Sequence, residues 1–139
     1  MRTGSRPGMT ASVTPPSTPP ERPTWVLLLQ RGAADVVYEA AAMTAAAVSL
    51  GIDVTLIWFD AALEALVSGS LEEENGDAAS PGRLLSEARE TGRVRFLACS
   101  ASVVGRRLDR EALDGRVDGI VGWPTAIALI RAAERSFVW

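Results

Sequence analysis

One cysteine carries most of the reactive chemistry that this sequence offers. Cys99 is the only cysteine in the chain, and it ends an apolar run that begins at Val94. Three small residues, Ser100, Ala101 and Ser102, follow it directly. We interpret the run as a buried strand that delivers the thiol to the start of a helix. There the unpaired backbone N–H groups of Ala101 and Ser102 would favour a thiolate, so Cys99 is the candidate nucleophile.

The same residues also have purely structural interpretations. A free cysteine behaves as a small hydrophobic residue, so Cys99 could be an inert member of the core. Ser100 and Ser102 could donate hydrogen bonds to a bound sulfur, or they could cap the helix. Arg31, Arg106 or Arg107 could add positive charge near the thiol. Both interpretations of Cys99 stay open at this point.

The composition excludes several other kinds of site. The chain contains no histidine, which removes Ser-His-Asp and Cys-His catalysis. With one cysteine and no histidine, thiolate or imidazole zinc sites are also excluded within one chain, and we expect no metal and no cofactor. An intramolecular disulfide is impossible. A lone cysteine suits a reducing compartment, which predicts a cytoplasmic location.

The charge and the hydropathy pattern limit the kinds of partner. The formal net charge is −3, so no broad basic field attracts nucleic acid. The longest apolar stretch, residues 40–50, is too short and too rich in alanine to cross a membrane. We therefore expect neither a direct nucleic-acid partner nor a membrane partner.

Short apolar runs alternate with segments of helical spacing along most of the chain. Strands are predicted at 25–29, 52–59, 94–98, 117–121 and 137–139, and helices at 36–50, 60–67, 81–91, 100–107 and 126–133, with one further helical turn at 110–113. This alternation predicts an α/β fold with three α/β/α layers and a mostly parallel five-stranded sheet, flavodoxin-like in general architecture. Residues 1–23 hold six of the eight prolines, which predicts a disordered tail before a single domain at 24–139.

The predicted sheet brings three loops to the edge where such folds bind ligands, beyond the carboxyl ends of the strands. These loops are 30–35, 99–102 and 122–125. The loop neighbours of Cys99 at the strand ends are then Arg31, Gly32, Gly122, Trp123 and Thr125. The first loop has neither a G-x-G-x-x-G fingerprint nor a hydroxyl, and the chain has no lysine. Dinucleotide, flavin and phosphoacceptor sites are therefore excluded.

Several stretches resemble the DsrE/DsrF/TusD-like family of sulfur-relay proteins. They are ACSASV at 98–103, LDREAL at 108–113, DGRVDGIVG at 114–122 and GIDVT at 51–55, the last after an alanine-rich helix. The family pattern is a cysteine, a small-residue turn, a Leu-x-x-Glu/Asp-x-Leu segment and an Asp-Gly-Val strand that ends in Gly and Thr. The resemblance covers about residues 25–139.

The resemblance implies a small α/β sulfur-relay fold. It also implies that Cys99 corresponds to the cysteine that carries sulfur as a persulfide, with sulfur donor and acceptor proteins as partners and assembly into homo- or hetero-oligomers. Two features depart from the usual pattern: the bulky Trp123 stands in the turn after the fourth strand, and the 30–35 loop is short.

The residues and the resemblance leave three functions open. The first is a sulfur carrier or transferase that holds a persulfide on Cys99 and passes it to an acceptor thiol. The second is a non-catalytic oligomeric partner subunit, and the third is a one-cysteine redox sensor in which Cys99 becomes a sulfenic acid. Trp123 and Trp139 are candidates for an interface or for core packing.

Overall fold

Five parallel strands form one sheet in the computed structural model, which describes residues 22–73 and 79–139. The strands are β1 (Thr24–Leu29), β2 (Asp53–Trp58), β3 (Val94–Cys99), β4 (Gly119–Val121) and β5 (Arg135–Val138). Their order across the sheet is β4-β3-β2-β1-β5, and every neighbouring pair is parallel. The helices are α1 (Ala34–Ser49), α2 (Asp60–Ser68), α3 (Pro81–Arg89), α4 (Ser100–Gly105), α5 (Arg110–Leu113) and α6 (Trp123–Ala132), with a 3-10 turn at Ser70–Glu72. The predicted α/β fold with a parallel sheet is confirmed.

The two faces of the sheet are covered unequally. One face packs against α1 to α5 in the larger of two apolar clusters. In the part of the chain that the structure describes, the other face packs against α6, through Ala126, Leu129 and Ile130, and against Ala133 directly after it. Among the described residues, the third layer of the sandwich is therefore a single helix.

Strand β3 illustrates why the sequence forms this sheet. Five of its six residues are buried, and Arg95 is the exception. Because side chains alternate along a strand, Phe96 and Ala98 enter the larger cluster, whereas Leu97 and Cys99 face α6. Burial on both faces requires a nearly continuous apolar run, which is what the sequence has here.

Helix α3 begins where the sequence predicts. The hydroxyl of Ser80 accepts a hydrogen bond from the backbone N–H of Arg83 at 3.0 Å, and Pro81 opens the helix. A side-chain cap satisfies one of the unpaired N–H groups of the first turn, and proline has no N–H to leave unpaired at that end.

Strand β4 is shorter than predicted, because before Gly119 the side chain of Asp118 takes part in the hydrogen bonding to β3 in place of a backbone carbonyl. The backbone N–H of Asp118 donates to the carbonyl of Phe96 at 2.8 Å. Its side-chain Oδ2 accepts from the N–H of Phe96, also at 2.8 Å. A carboxylate therefore stands where a strand carbonyl would be, and regular pairing starts one residue later.

Helix α6 and strand β5 begin earlier than predicted. Helix α6 starts at Trp123, because Pro124 is compatible with the first turn of a helix and does not delay it. Strand β5 covers Arg135–Val138, and the N–H of Trp139 still donates to the carbonyl of Leu28 at 2.8 Å. These shifts move element ends and leave the topology unchanged.

Two predicted segments lie mostly outside the described residues. Residues 1–21 of the predicted tail are outside, whereas the carbonyl of Pro23 accepts from the N–H of Asp53 at 3.0 Å beside the start of β1. Residues 74–78 are also outside, and they include most of the glutamate-rich stretch 72–77, which the sequence predicts to be a solvated loop. Within 22–73 and 79–139, no helix combines the length and the apolar content that crossing a bilayer requires.

Candidate functional site

The chain leaves the neighbouring strands β3 and β4 towards opposite faces of the sheet. Helix α4 follows β3 and places Val103 in the larger apolar cluster, whereas α6 follows β4 and places Ala126 in the other. Cys99 pairs with Val121 at the ends of these two strands. In open parallel sheets, divergence between adjacent strands opens a crevice at their carboxyl ends, and ligands bind there. The topology therefore places Cys99 at the β3/β4 crevice.

The Cys99 thiol is buried at this crevice. Only 3% of the residue is exposed, and it belongs to an apolar cluster with Phe59, Leu97 and Ala126. Its side chain accepts no hydrogen bond from the first turn of α4. The predicted contact from the N–H groups of Ala101 and Ser102 is therefore absent. The reason is strand geometry: the Cys99 side chain faces α6, and α4 packs on the other face of the sheet.

Ser102 links two helix starts instead of contacting sulfur. The residue is buried, with 5% of its surface exposed. Its hydroxyl accepts a hydrogen bond from the N–H of Asp60 at 3.0 Å and donates one to Asp60 Oδ1 at 3.2 Å. Asp60 opens α2 with φ +47°, an uncommon backbone conformation for a residue other than glycine. The pair joins the ends of β2 and β3 at the rim of the sheet. Ser100 is half-buried, and its Oγ lies 3.6 Å from the position that a Cβ on Gly122 would occupy.

Two aromatic side chains stack beside the crevice. Phe59 follows β2 and is 3% exposed, whereas Trp123 begins α6 and is 47% exposed. Their ring centroids are 5.0 Å apart and their planes are inclined by 28°. Strand β3 lies between β2 and β4, so a contact between these two residues passes across the end of β3. Trp123 is thus a neighbour of the Cys99 strand end.

The first predicted loop does not reach Cys99. Arg31 and Gly32 follow β1, which is separated from β3 by β2. Arg31 is exposed, and a Cβ on Gly32 would overlap the carbonyl oxygen of Ala61 at the start of α2. Thr125 is exposed in the first turn of α6. Strand order therefore removes the 30–35 loop from the site.

Phe59 and Asp60 take the place of that loop, and neither residue is among the site residues predicted from the sequence. The order of the strands along the chain could have predicted their position. Consecutive parallel strands are usually neighbours in the sheet, so the residues directly after the second strand should lie beside the end of the third.

Arg106, one of the arginines predicted to add positive charge near the thiol, already has acidic partners. Arg106 forms an ion pair with Glu64, and its Nε lies 3.9 Å from Asp60 Oδ1. Its charge is therefore compensated by two carboxylates. Among the described residues, no group of three or more His, Cys, Asp or Glu side chains is placed to hold a metal ion.

Comparison with known proteins identifies the family of this chain. No curated protein matches it. The family model described as the DsrE/DsrF-like family matches residues 26–138. The match extends from the first strand to the last and includes Cys99 and the turn after β4. This protein therefore belongs to the DsrE/DsrF-like family.

Proposed function

We propose that this domain carries sulfur as a persulfide on Cys99 and exchanges it with donor and acceptor proteins. One observation carries the proposal: the only cysteine ends β3 at the β3/β4 crevice, inside the region that matches the family. DsrE-family proteins generally work in sulfur-relay complexes. We also infer a cytoplasmic location, because a lone cysteine suits a reducing compartment, and assembly with further subunits.

The proposed transfer balances without a cofactor. In loading, the Cys99 thiolate attacks the terminal sulfur of a donor persulfide. The new S–S bond forms on Cys99, the donor S–S bond breaks, and the donor leaves as a thiolate. In unloading, an acceptor thiolate attacks the same terminal sulfur, and Cys99 leaves as a thiolate. No net oxidation occurs, and the chain has no second cysteine that could expel the sulfur by forming a disulfide.

The burial of Cys99 favours a second candidate, a non-catalytic partner subunit. A thiol that is 3% exposed among apolar groups resembles a structural core cysteine more than a reactive one. In that case the protein acts through its surface, where Trp123 and Ile127 expose apolar area on α6. The same burial opposes the redox-sensor interpretation, because oxidation to a sulfenic acid needs an accessible thiolate.

Sulfur loading separates the two candidates. The protein is incubated with a cysteine desulfurase and cysteine, and its intact mass is measured under non-reducing conditions. The carrier proposal expects addition of one sulfur atom, and Cys99→Ser, which changes one atom of a buried side chain, should show none. An unmodified wild-type mass after loading, with the thiol still alkylated in full after denaturation, supports the partner subunit.

A further inference from the structure

The Phe59–Trp123 stack indicates how access to Cys99 is controlled. We propose that the indole ring of Trp123 closes the β3/β4 crevice over Cys99 in the free protein and is displaced by the protein that exchanges sulfur. This inference rests on the sulfur-carrier function proposed above. Trp123 is then an access-controlling residue rather than a catalytic one.

Strand order supports the covering position. Trp123 directly follows the turn after β4, and Phe59 directly follows β2, on the other side of β3. A centroid separation of 5.0 Å therefore requires the two rings to meet across the end of β3. Cys99 and Phe59 belong to one apolar cluster with Ala126, which lies three residues after Trp123 on α6. The thiol therefore shares its apolar cluster with Phe59, the ring on which Trp123 stacks.

The two rings differ in how firmly they are held. Phe59 is buried, and its N–H donates to the carbonyl of Leu29 at 2.8 Å. Trp123 is nearly half exposed, and within the described residues its indole N–H has no hydrogen-bond acceptor. Trp25 provides a contrast, because its indole Nε1 donates to Glu134 at 3.1 Å. Because Phe59 is buried on a strand end that is held by a backbone hydrogen bond, Trp123 is the ring that can move with the smaller loss of packing contacts.

The exposed part of the cover faces the solvent beside another apolar side chain. Ile127 lies one turn after Trp123 on α6 and is 48% exposed. A sulfur-exchanging protein that contacts this apolar pair would reach the cover and the crevice together. Because persulfides react with free thiols, a thiol that opens only in such a complex would keep its sulfur from small thiols in solution.

Alkylation of Cys99 tests the cover without any donor protein. The native protein is treated with iodoacetamide at neutral pH, and the modified fraction is followed by intact mass. Loss of an aromatic pair of this type shifts the equilibrium between the closed and the open position of the ring by about 2- to 13-fold. Trp123→Ala also removes the covering ring itself. We expect alkylation to be roughly tenfold faster or more in Trp123→Ala, and faster in Trp123→Leu, which keeps an apolar side chain but loses the stack.

Ile127→Ala is the matched control, because Ile127 lies on the same helix as Trp123 and has almost the same exposed fraction. We expect its alkylation rate to stay within about twofold of the wild-type rate, and Trp123→Phe, which can still stack, to do the same. Equal rates for Trp123→Ala and wild type would overturn the proposal. Equal acceleration by Ile127→Ala would also overturn it, because general loosening of α6 would then explain both results. Urea unfolding of each variant shows whether the alkylation rate follows global stability instead.

Sulfur loading, measured separately, distinguishes this proposal from the function on which it rests. If wild type gains sulfur and Trp123→Ala changes neither the alkylation rate nor the loading rate, the proposed role of Trp123 is wrong and the carrier function stands. If Trp123→Ala accelerates alkylation but no variant gains sulfur, the carrier function fails and the role proposed for the cover fails with it. Faster alkylation together with faster loading in Trp123→Ala supports both.

Discussion

Replacing Asp118 by alanine is expected to lower the free energy of unfolding by about 2–3 kcal/mol. Asp118 joins the two strands that flank the crevice, because its Oδ2 accepts the N–H of Phe96 at 2.8 Å. Its Oδ1 accepts from Nη2 of Arg89, also at 2.8 Å. A hydrogen bond to a charged group contributes about 1.5–3 kcal/mol, and a partly exposed ion pair about 0.2–1 kcal/mol. The alanine variant loses both and leaves a part-buried N–H of Phe96 without its acceptor.

Asp118→Asn separates the two contributions. Asparagine keeps a side-chain oxygen for the N–H of Phe96 but removes the charge that pairs with Arg89. We expect it to cost about 1 kcal/mol, clearly less than alanine. Asp114→Ala is the matched control, since Asp114 is an exposed aspartate of the same segment whose described hydrogen bond uses its backbone N–H. Its effect should lie within about 0.5 kcal/mol of zero.

Urea unfolding followed by far-ultraviolet circular dichroism measures these differences, at one protein concentration for all variants. Because the slope of the free energy with urea reports the surface exposed on unfolding, it should be unchanged among them. An Asp118→Ala cost below about 0.5 kcal/mol would refute the role of the carboxylate as a strand acceptor. Equal costs for alanine and asparagine would show that charge, rather than the acceptor oxygen, holds the two strands together.

Further predictions concern turns, caps and the N-terminal segment, and each uses the same urea assay. Gly32→Ala should cost more than about 2 kcal/mol because its Cβ would overlap the carbonyl oxygen of Ala61. Gly105→Ala should instead stabilise by about 0.5–1 kcal/mol, since nothing lies within 4 Å of its added Cβ at the end of α4. Ser80→Ala should cost about 1 kcal/mol through loss of the α3 cap. Deletion of residues 1–21 should leave the unfolding midpoint unchanged, as their composition predicts.

Specific results would contradict these expectations. If Gly32→Ala does not change the stability, the first turn of α2 can shift to make room for the added Cβ. If Gly105→Ala lowers the stability, the backbone at Gly105 disfavours alanine even though there is space for its Cβ. If Ser80→Ala is as stable as wild type, the Ser80 cap contributes nothing to the free energy of unfolding. A clear fall in the midpoint after deletion of residues 1–21 would show that the segment packs on the domain. The deletion retains Pro23, because its carbonyl accepts from Asp53 beside β1.

The sequence alone predicted the secondary structure and the parallel sheet. Apolar runs, helical spacing, Ser80 before a proline and Gly92 after a helix are local signals, and the structure has corresponding elements with shifted ends. The sequence also predicted that Cys99 ends a strand and precedes a helix, as it does. Such features depend on residues within a few positions of one another, so a linear pattern contains them.

Tertiary structure decided which residues surround the thiol. Strand order put β2, rather than the end of β1, beside β3, and the side-chain alternation of β3 turned Cys99 towards α6 and away from the N–H groups of α4. Ser102 contacts Asp60 across 42 positions of the chain, and Trp123 reaches Phe59 from the other side of Cys99. Contacts of this kind depend on how separate elements pack together, and no local spacing in the sequence records that packing. The presence of a single thiol at a strand end was therefore a property of the sequence, whereas its burial and the Phe59–Trp123 stack arose only when the sheet and α6 came together.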